Sequence, residues 1–115
     1  MTAGTLALSG IVPLAQARGS DTIRVGVVGC GGRGSGAARD CVKSSKGVEI
    51  VALADVFEDR MKSLKTEFKV PDNRCFVGLD AYKKLMALDD INLVILGTPP
   101  GFRPMQFEAA VAAGK

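Results

Sequence analysis

The feature that most constrains the fold is a glycine-rich turn that directly follows a short apolar run. Residues 23–28 are rich in β-branched side chains and almost continuously apolar, which is typical of a strand covered on both faces. Three glycines then fall at Gly29, Gly31 and Gly34, in the spacing G-x-G-x-x-G. In a dinucleotide-binding turn the first glycine permits the tight turn, the second lets a pyrophosphate approach the backbone, and the third lets a helix pack closely. The turn therefore predicts a dinucleotide site.

The segments after the turn complete a strand–helix–strand unit. A helix is predicted over about Gly32–Ser44, and a second apolar strand over Val48–Ala54. The whole unit has the length of roughly 30 residues that such a crossover needs. Because the start of the helix offers unpaired N–H groups and a partial positive charge, phosphates can bind there. This context supports the dinucleotide interpretation of the turn.

An aspartate follows the second strand. Asp55 lies about 20 residues beyond Gly34, where the dinucleotide fingerprint places an acid. Its carboxylate can accept hydrogen bonds from the adenosine ribose and would repel a 2′-phosphate, so we expect NAD as the cofactor, with NADP as the alternative. A competing interpretation is that Asp55 only caps the next helix. Arg60 would favour NADP if it reached a 2′-phosphate, but the sequence favours a solvated surface arginine.

The rest of the chain continues the alternation of strands and helices. Helices are predicted over 57–68, from Asp80 as the N-cap residue, and over 103–113, with strands over 74–77 and 92–96. The side chains expected to face the core are Phe57, Met61, Leu64 and Phe68 on the first helix, Tyr82, Leu85 and Met86 on the second, and Phe107, Ala110 and Val111 on the third. This alternation predicts an α/β fold, a doubly wound parallel sheet of the Rossmann type.

The last predicted strand is broken sharply by the sequence Gly-Thr-Pro-Pro-Gly at residues 97–101. Ligands of open α/β sheets bind beyond the carboxyl ends of the strands, and this segment lies at such an end. The backbone of the segment and the hydroxyl of Thr98 are therefore candidate cofactor contacts. A rigid turn without a ligand is an equally good interpretation of the same residues.

Composition excludes several classes of function. The 115-residue chain is long enough for one small domain with a core. It contains no histidine, which excludes histidine-based acid–base chemistry and most zinc sites within it. Its three cysteines, Cys30, Cys41 and Cys75, form neither a metal-binding pattern nor a disulfide framework. The net charge of +3 without a basic block, together with 5% aromatic residues, does not suggest a nucleic-acid surface.

The N-terminal segment has the character of an export signal. Residues 1–17 carry no charged side chain and end in Ala-Gln-Ala, the small-x-small form of a signal-peptidase site. The segment is too short, and too interrupted by glycine and proline, to predict a membrane span. It lacks a positively charged start, so it is either the remnant of a signal or an apolar leader. We expect a periplasmic or exported protein, with the cytoplasm as the alternative, residues 18–22 as a linker and residues 23–115 as the domain.

The motifs together give a family resemblance. With the glycine turn at 29–34, Asp55, the Thr-Pro pair at 98–99 and a closing Ala-Ala-Gly-Lys in this order, residues 22–115 resemble the N-terminal domain of the Gfo/Idh/MocA oxidoreductases. Residues 97–104 are similar to an exported subgroup of that family with a twin-arginine signal, although no Arg-Arg pair precedes the domain. The resemblance covers nearly everything after the leader.

The resemblance implies a Rossmann domain that binds NAD or NADP, in a protein that moves hydride to or from sugars, cyclitols and related polyols. It is compatible with a homo-oligomer. The residues that it assigns to the cofactor are Gly29, Gly31 and Gly34 with the amides of Gly32 and Arg33 for the pyrophosphate, Asp55 for the adenosine ribose, and Thr98 with Pro99 for the nicotinamide side.

Two departures from the family pattern limit which residue roles the resemblance implies for this chain. Many members have a histidine shortly after the Thr-Pro pair, where this chain has Gly101, Phe102 and Arg103. The sequence also stops at Lys115, before the family's Glu-Lys-Pro motif and its substrate domain. We therefore expect a truncated domain that binds dinucleotide weakly, contains no catalytic residue and does not turn over. The alternative is a non-catalytic dinucleotide-binding module or an inactive fragment.

Overall fold

The computed structural model describes residues 22–115, which form a parallel sheet with helices on both faces. The strands are β1 (Ile23–Val28), β2 (Val48–Asp55), β3 (Cys75–Val77) and β4 (Leu93–Leu96). The helices are α1 (Gly32–Ser44), α2 (Lys62–Phe68), α3 (Ala81–Met86) and α4 (Arg103–Ala112). The strand order is β3-β2-β1-β4, and every pair of neighbouring strands is parallel. The α/β, doubly wound prediction is confirmed, while the leader at 1–17 and the linker residues 18–21 lie outside the described residues.

The sheet has a separate apolar core on each face, as its near-continuous apolar strands predict. On one face, Val25 and Val27 of β1 pack in a cluster with Leu64 of α2. On the other face, Val28 packs in a cluster that contains Leu85 of α3. Since β1 supplies both cores and lies between β2 and β4, its carboxyl end is fixed at the centre of the molecule.

The segment after β2 differs from the predicted helix over 57–68. Phe57 has extended backbone angles, φ −114° and ψ 125°, and its side chain is 54% exposed, so its predicted place in the core is wrong. A 3-10 turn over Glu58–Met61 comes first, and α2 begins only at Lys62. The Phe57 N–H donates to Oδ1 of Asp55 at 3.0 Å. This hydrogen bond holds the chain in a turn at the tip of β2, so α2 begins later in the sequence than predicted.

Helix α4 is rotated relative to the prediction. Ala110 is buried as expected, but Phe107 and Val111 are 63% and 59% exposed. The buried face carries Gln106 instead, four residues before Ala110. The Thr98 hydroxyl donates to the side-chain oxygen of Gln106, and this bond draws the Gln106–Ala110 face of the helix towards β4.

Helix α3 follows the prediction except at its start. Tyr82, Leu85 and Met86 are buried as expected. Asp80 does occupy the N-cap position, but its side chain makes no capping hydrogen bond. None of the helices within residues 22–115 combines the length and apolar character that crossing a membrane requires.

Candidate functional site

A groove with a volume of about 650 Å³ lies where β1, β2 and β4 end, and this volume is in the range of small-molecule and cofactor sites. The structure brings these predicted residues together in its lining: Gly29, Gly31, Gly32, Arg33, Asp55, Thr98 and Pro99. Gly34 is buried beneath the groove rather than in its wall. The groove thus lies beyond the carboxyl ends of the strands, between the neighbouring strands β1 and β4, where α/β sheets bind ligands.

Three glycines pack backbone against backbone at the floor of the groove. Gly29 has φ +89°, and a Cβ on it would lie 2.7 Å from the carbonyl carbon of Gly97. A Cβ on Gly97 would lie 2.6 Å from the Cα of Gly34, and one on Gly34 would overlap the Gly29 carbonyl oxygen. Helix α1 therefore rests directly on the ends of β1 and β4. The sequence argument missed Gly97, although it follows β4 as Gly29 follows β1.

The next two glycines of the turn face open space instead. A Cβ on Gly31 would meet only the Nη1 atom of Arg60, at 3.7 Å, and one on Gly32 would meet nothing within 4 Å. The Ser35 N–H donates to the Gly31 carbonyl at 2.8 Å, so the N–H groups of Gly32 and Arg33 precede this helical hydrogen bond. No acidic residue lies in the first turn of α1. This open, electropositive backbone fits a pyrophosphate.

Asp55 is 8% exposed, and both of its carboxylate oxygens accept backbone N–H groups. Oδ2 accepts the N–H of Cys30 at 2.7 Å, and Oδ1 accepts that of Phe57 at 3.0 Å. The carboxylate therefore ties the glycine turn to the tip of β2. Each oxygen can accept a second hydrogen bond, so capacity for two ribose hydroxyls remains. The competing interpretation, that Asp55 only caps the next helix, is wrong, because the 3-10 turn that follows has Phe57 at its N-cap position and no side-chain capping hydrogen bond.

The thiol of Cys30 is buried within the same turn. Burial, and then the charge of Asp55, raise the pKa of this thiol to about 12. Its sulfur lies 3.7 Å from the carbonyl oxygen of Ala54, to which the S–H donates. Because the thiolate is the nucleophilic form, this raised pKa makes Cys30 inert at neutral pH.

Alkylation of the native chain is expected to spare Cys30. At pH 8 a thiol of pKa about 12 is ionised to about one part in ten thousand. Iodoacetamide should therefore modify the half-buried Cys41 while Cys30 stays unmodified, as read by peptide mass spectrometry. The urea-unfolded chain is the control, in which both should react. Native labelling of Cys30 at the rate of Cys41 would contradict the buried, protonated assignment.

A hydrogen-bonded cluster around Thr98 borders the groove on the β4 side. The Thr98 hydroxyl donates to Oε1 of Gln106, and Thr98 and Gln106 are 8% and 5% exposed. The Nε–H of Arg103 donates to the Thr98 carbonyl at 2.8 Å. Arg103 thus holds the backbone of the turn. The sequence argument gave no role to Gln106, for which its position four residues before the predicted core residue Ala110 was the available signal.

The charges around the groove suit an anionic ligand. Three arginines line it, Arg33, Arg60 and Arg103, against the single carboxylate of Asp55. Within residues 22–115 no group of three or more acidic or cysteine side chains is placed to hold a metal ion. The groove therefore offers backbone N–H groups and cations to phosphates, and a carboxylate to hydroxyl groups.

Comparison with known proteins identifies the family. The model of the oxidoreductase family with an NAD-binding Rossmann fold, Gfo/Idh/MocA, matches residues 23–115. The chain belongs to this family. The resemblance inferred from the sequence is thereby confirmed, and so is the assignment of the domain as an NAD-binding Rossmann domain of an oxidoreductase family.

The relatives of this chain are named for different activities. A glycosyl hydrolase family 109 protein of Porphyromonas gingivalis is 38% identical over 82 residues, which cover 68% of this chain and 17% of that protein. The inositol 2-dehydrogenase of Agrobacterium fabrum is 34% identical over 94 residues, which cover 82% of this chain and 27% of that protein. The chain therefore spans about a quarter of these relatives' length or less.

A solved structure of a dehydrogenase has the same fold. The scyllo-inositol dehydrogenase of Lactobacillus casei, crystallised with bound NAD(H) and scyllo-inositol, superimposes with a TM-score of 0.71 at 27% sequence identity. The match covers 83% of this chain and 26% of the dehydrogenase. The parallel sheet and its helices are thus those of a known NAD-binding domain.

Proposed function

We propose that this Gfo/Idh/MocA domain binds NAD in the groove at the carboxyl ends of its strands. The observation that carries the proposal is the open backbone at Gly31 and Gly32, beside a carboxylate with spare acceptor capacity. The N–H groups of Gly32 and Arg33 would hold the pyrophosphate, and Asp55 the adenosine ribose. Thr98 would then border the nicotinamide side of the groove, together with Pro99.

The roles of the chain's own residues are binding and orientation. When bound, the nicotinamide cofactor supplies hydride transfer. The cluster of Thr98, Gln106 and Arg103 fixes the backbone at the nicotinamide side, and the packed glycines keep the groove floor rigid. No pair of groups in this groove is arranged as a general acid and base, so proton transfer would depend on residues elsewhere in the whole protein.

For the whole protein we propose hydride transfer between the nicotinamide cofactor and a sugar, cyclitol or related polyol. Support comes from the relative named inositol 2-dehydrogenase and from the solved neighbour crystallised with scyllo-inositol. A second candidate is glycoside hydrolysis, because the 38% identical relative is named a glycosyl hydrolase and NAD-dependent glycosidases exist as a mechanistic class. A non-catalytic dinucleotide-binding module is the remaining alternative.

Binding without turnover is expected of the 115-residue chain itself. NADH should bind weakly, as read by enhancement of its fluorescence, whereas NAD with inositols or sugars should give no rise in absorbance at the NADH wavelength. Absence of NADH binding would overturn the proposed site, and turnover would overturn the assignment of proton transfer to other residues. The coding frame beyond Lys115 discriminates enzyme from module, since a continuation into a substrate domain supports the enzyme.

The same assays separate the two activities in the whole protein. With a polyol as substrate, a dehydrogenase accumulates NADH in step with substrate oxidation. With a nitrophenyl glycoside as substrate, an NAD-dependent glycosidase releases nitrophenol without net formation of NADH. Release of nitrophenol that stops when NAD is removed would select the second candidate.

We further propose export of the protein; the twin-arginine route is taken only from the similarity of residues 97–104 to an exported subgroup of the family. The support is the uncharged segment 1–17 and its Ala-Gln-Ala ending. N-terminal sequencing of protein expressed in a competent host tests it: a new N-terminus after Ala17 is expected, and an intact Met1 would contradict cleavage. For the whole protein a homo-oligomer is proposed, which size-exclusion chromatography with light scattering tests.

A further inference from the structure

Gln106 brings unused hydrogen-bond donors to the wall of the groove. The residue lies in α4, is 5% exposed and lines the groove. Its Oε1 accepts the Thr98 hydroxyl, whereas its Nε2 has no hydrogen-bond acceptor within residues 22–115. An amide nitrogen carries two N–H donors, and the buried polar groups of folded proteins almost always have partners. A ligand of the groove can supply the acceptor that these donors lack.

Contacts on both sides hold the Gln106 amide in place. The Thr98 hydroxyl binds its oxygen, and the Thr98 carbonyl in turn accepts the Nε–H of Arg103 at 2.8 Å. One turn further along α4, Ala110 packs in the core cluster that contains Val28. Because the helix and the turn after β4 are both fixed, the Nε2 donors are oriented before a ligand arrives. Such preorganisation lowers the entropic cost of a hydrogen bond to the ligand.

Gln106 lies at the opposite end of the groove from Asp55. Asp55 ends β2, the glycine turn follows β1, and Thr98 follows β4, and these strands are neighbours in the order β2-β1-β4. Two strand spacings of about 5 Å each therefore separate the Asp55 end from the β4 end. A dinucleotide with its adenosine ribose at Asp55 and its pyrophosphate at the glycine turn extends its nicotinamide half towards β4 and Gln106.

The surroundings of Gln106 favour one group of the nicotinamide half. Pro99, Pro100 and Phe102 also line the groove, and these apolar side chains suit a flat ring. A group that reaches an amide only 5% exposed leaves water, which is costly for a phosphate and less costly for a neutral carbonyl. The carboxamide of nicotinamide supplies such a carbonyl oxygen on the ring, and an N–H donor matches it.

We propose that Gln106 is a cofactor-contacting residue, whose Nε2 donates to the carboxamide oxygen of the nicotinamide ring and fixes the orientation of that ring. The proposal rests on the proposed dinucleotide function of the groove. ADP-ribose has the same adenosine and pyrophosphate as NAD but no nicotinamide. Removal of the Gln106 amide therefore weakens the binding of NAD and not that of ADP-ribose.

The test is a calorimetric titration of the 115-residue chain, as wild type and as Gln106→Met, with NAD, ADP-ribose and thionicotinamide adenine dinucleotide. The variant is expected to weaken NAD binding about five- to tenfold, the scale of one lost hydrogen bond, and ADP-ribose binding less than about twofold. The thio analogue carries sulfur, a weak acceptor, in place of the carboxamide oxygen. It should bind wild type less tightly than NAD does. In Gln106→Met this difference should disappear, because a direct contact couples the two changes.

Two controls separate the contact from the structural role of Gln106. The substitution also removes the acceptor of the Thr98 hydroxyl, so the melting temperature should fall, as read by circular dichroism. Loss of that structural bond alone would weaken NAD and its thio analogue by the same factor. Glu108→Met is the matched variant, because this exposed residue of the same helix does not line the groove, and it should bind all three ligands as wild type does.

The outcomes separate this proposal from the function on which it rests. On Gln106→Met, an equal loss of affinity for NAD and the thio analogue, or for NAD and ADP-ribose, overturns the contact to the carboxamide and leaves the dinucleotide site standing. Unchanged NAD affinity of the variant overturns the contact as well. A wild-type chain that binds neither NAD nor ADP-ribose overturns the proposed function itself.

Discussion

Replacing Gly34 by alanine is expected to unfold the domain or to lower its free energy of unfolding by about 3 kcal/mol or more. An alanine Cβ would overlap the carbonyl oxygen of Gly29, and the backbone of Gly97 closes the other side of the contact. Neither neighbour is a flexible side chain, so the turn or α1 has to move as a whole. Thermal unfolding followed by circular dichroism measures the effect.

Gly36 provides the matched control for this prediction. It lies two residues further along the same helix, where a Cβ would meet nothing within 4 Å. Gly36→Ala should raise stability by roughly 1 kcal/mol, because alanine favours the helix and restricts the unfolded chain. A change of this size shifts the melting temperature of a domain of this size by about 4–8 °C. A Gly34→Ala protein as stable as wild type would show that α1 does not rest on the strand ends.

Replacing Asp55 is expected to produce the largest loss of cofactor affinity. Asp55→Ser removes the carboxylate proposed to bind the ribose, and NAD affinity should fall at least about tenfold. NADP should lose less, because the repulsion of its 2′-phosphate disappears with the charge. The preference of wild type for NAD over NADP should therefore narrow or reverse, as read by calorimetric titration of both cofactors.

The same substitution has a structural cost that must be measured separately. The buried N–H of Cys30 loses its acceptor, and an unsatisfied buried group costs about 1–3 kcal/mol. The part-buried N–H of Phe57 also loses its acceptor, at a lower cost because water can reach it. Asp59→Ser is the matched control, because this exposed carboxylate does not line the groove. Equal affinity of wild type for NAD and NADP, or an Asp55→Ser variant with unchanged NAD affinity, would argue against the ribose role.

The sequence predicted the parts of the site that depend on neighbouring residues. The glycine spacing at 29–34 and the acid about 20 residues on are features of one strand–helix–strand unit, whose length constrains its geometry. The pattern of α3 was equally local, and its core positions Tyr82, Leu85 and Met86 are confirmed. Predictions failed where a polar contact overrides the apolar periodicity, as the Thr98–Gln106 bond does in α4.

By itself, the sequence determined a doubly wound α/β fold, the glycine turn and the position of Asp55 at the end of β2, because these follow from local periodicity and spacing. Only the tertiary structure decided that Gly97 closes against the turn, and that Arg60 reaches the groove over Phe57. These contacts join separate secondary-structure elements or depend on the conformation of an exposed side chain. Their geometry is fixed by packing at the strand ends, which no single stretch of sequence specifies.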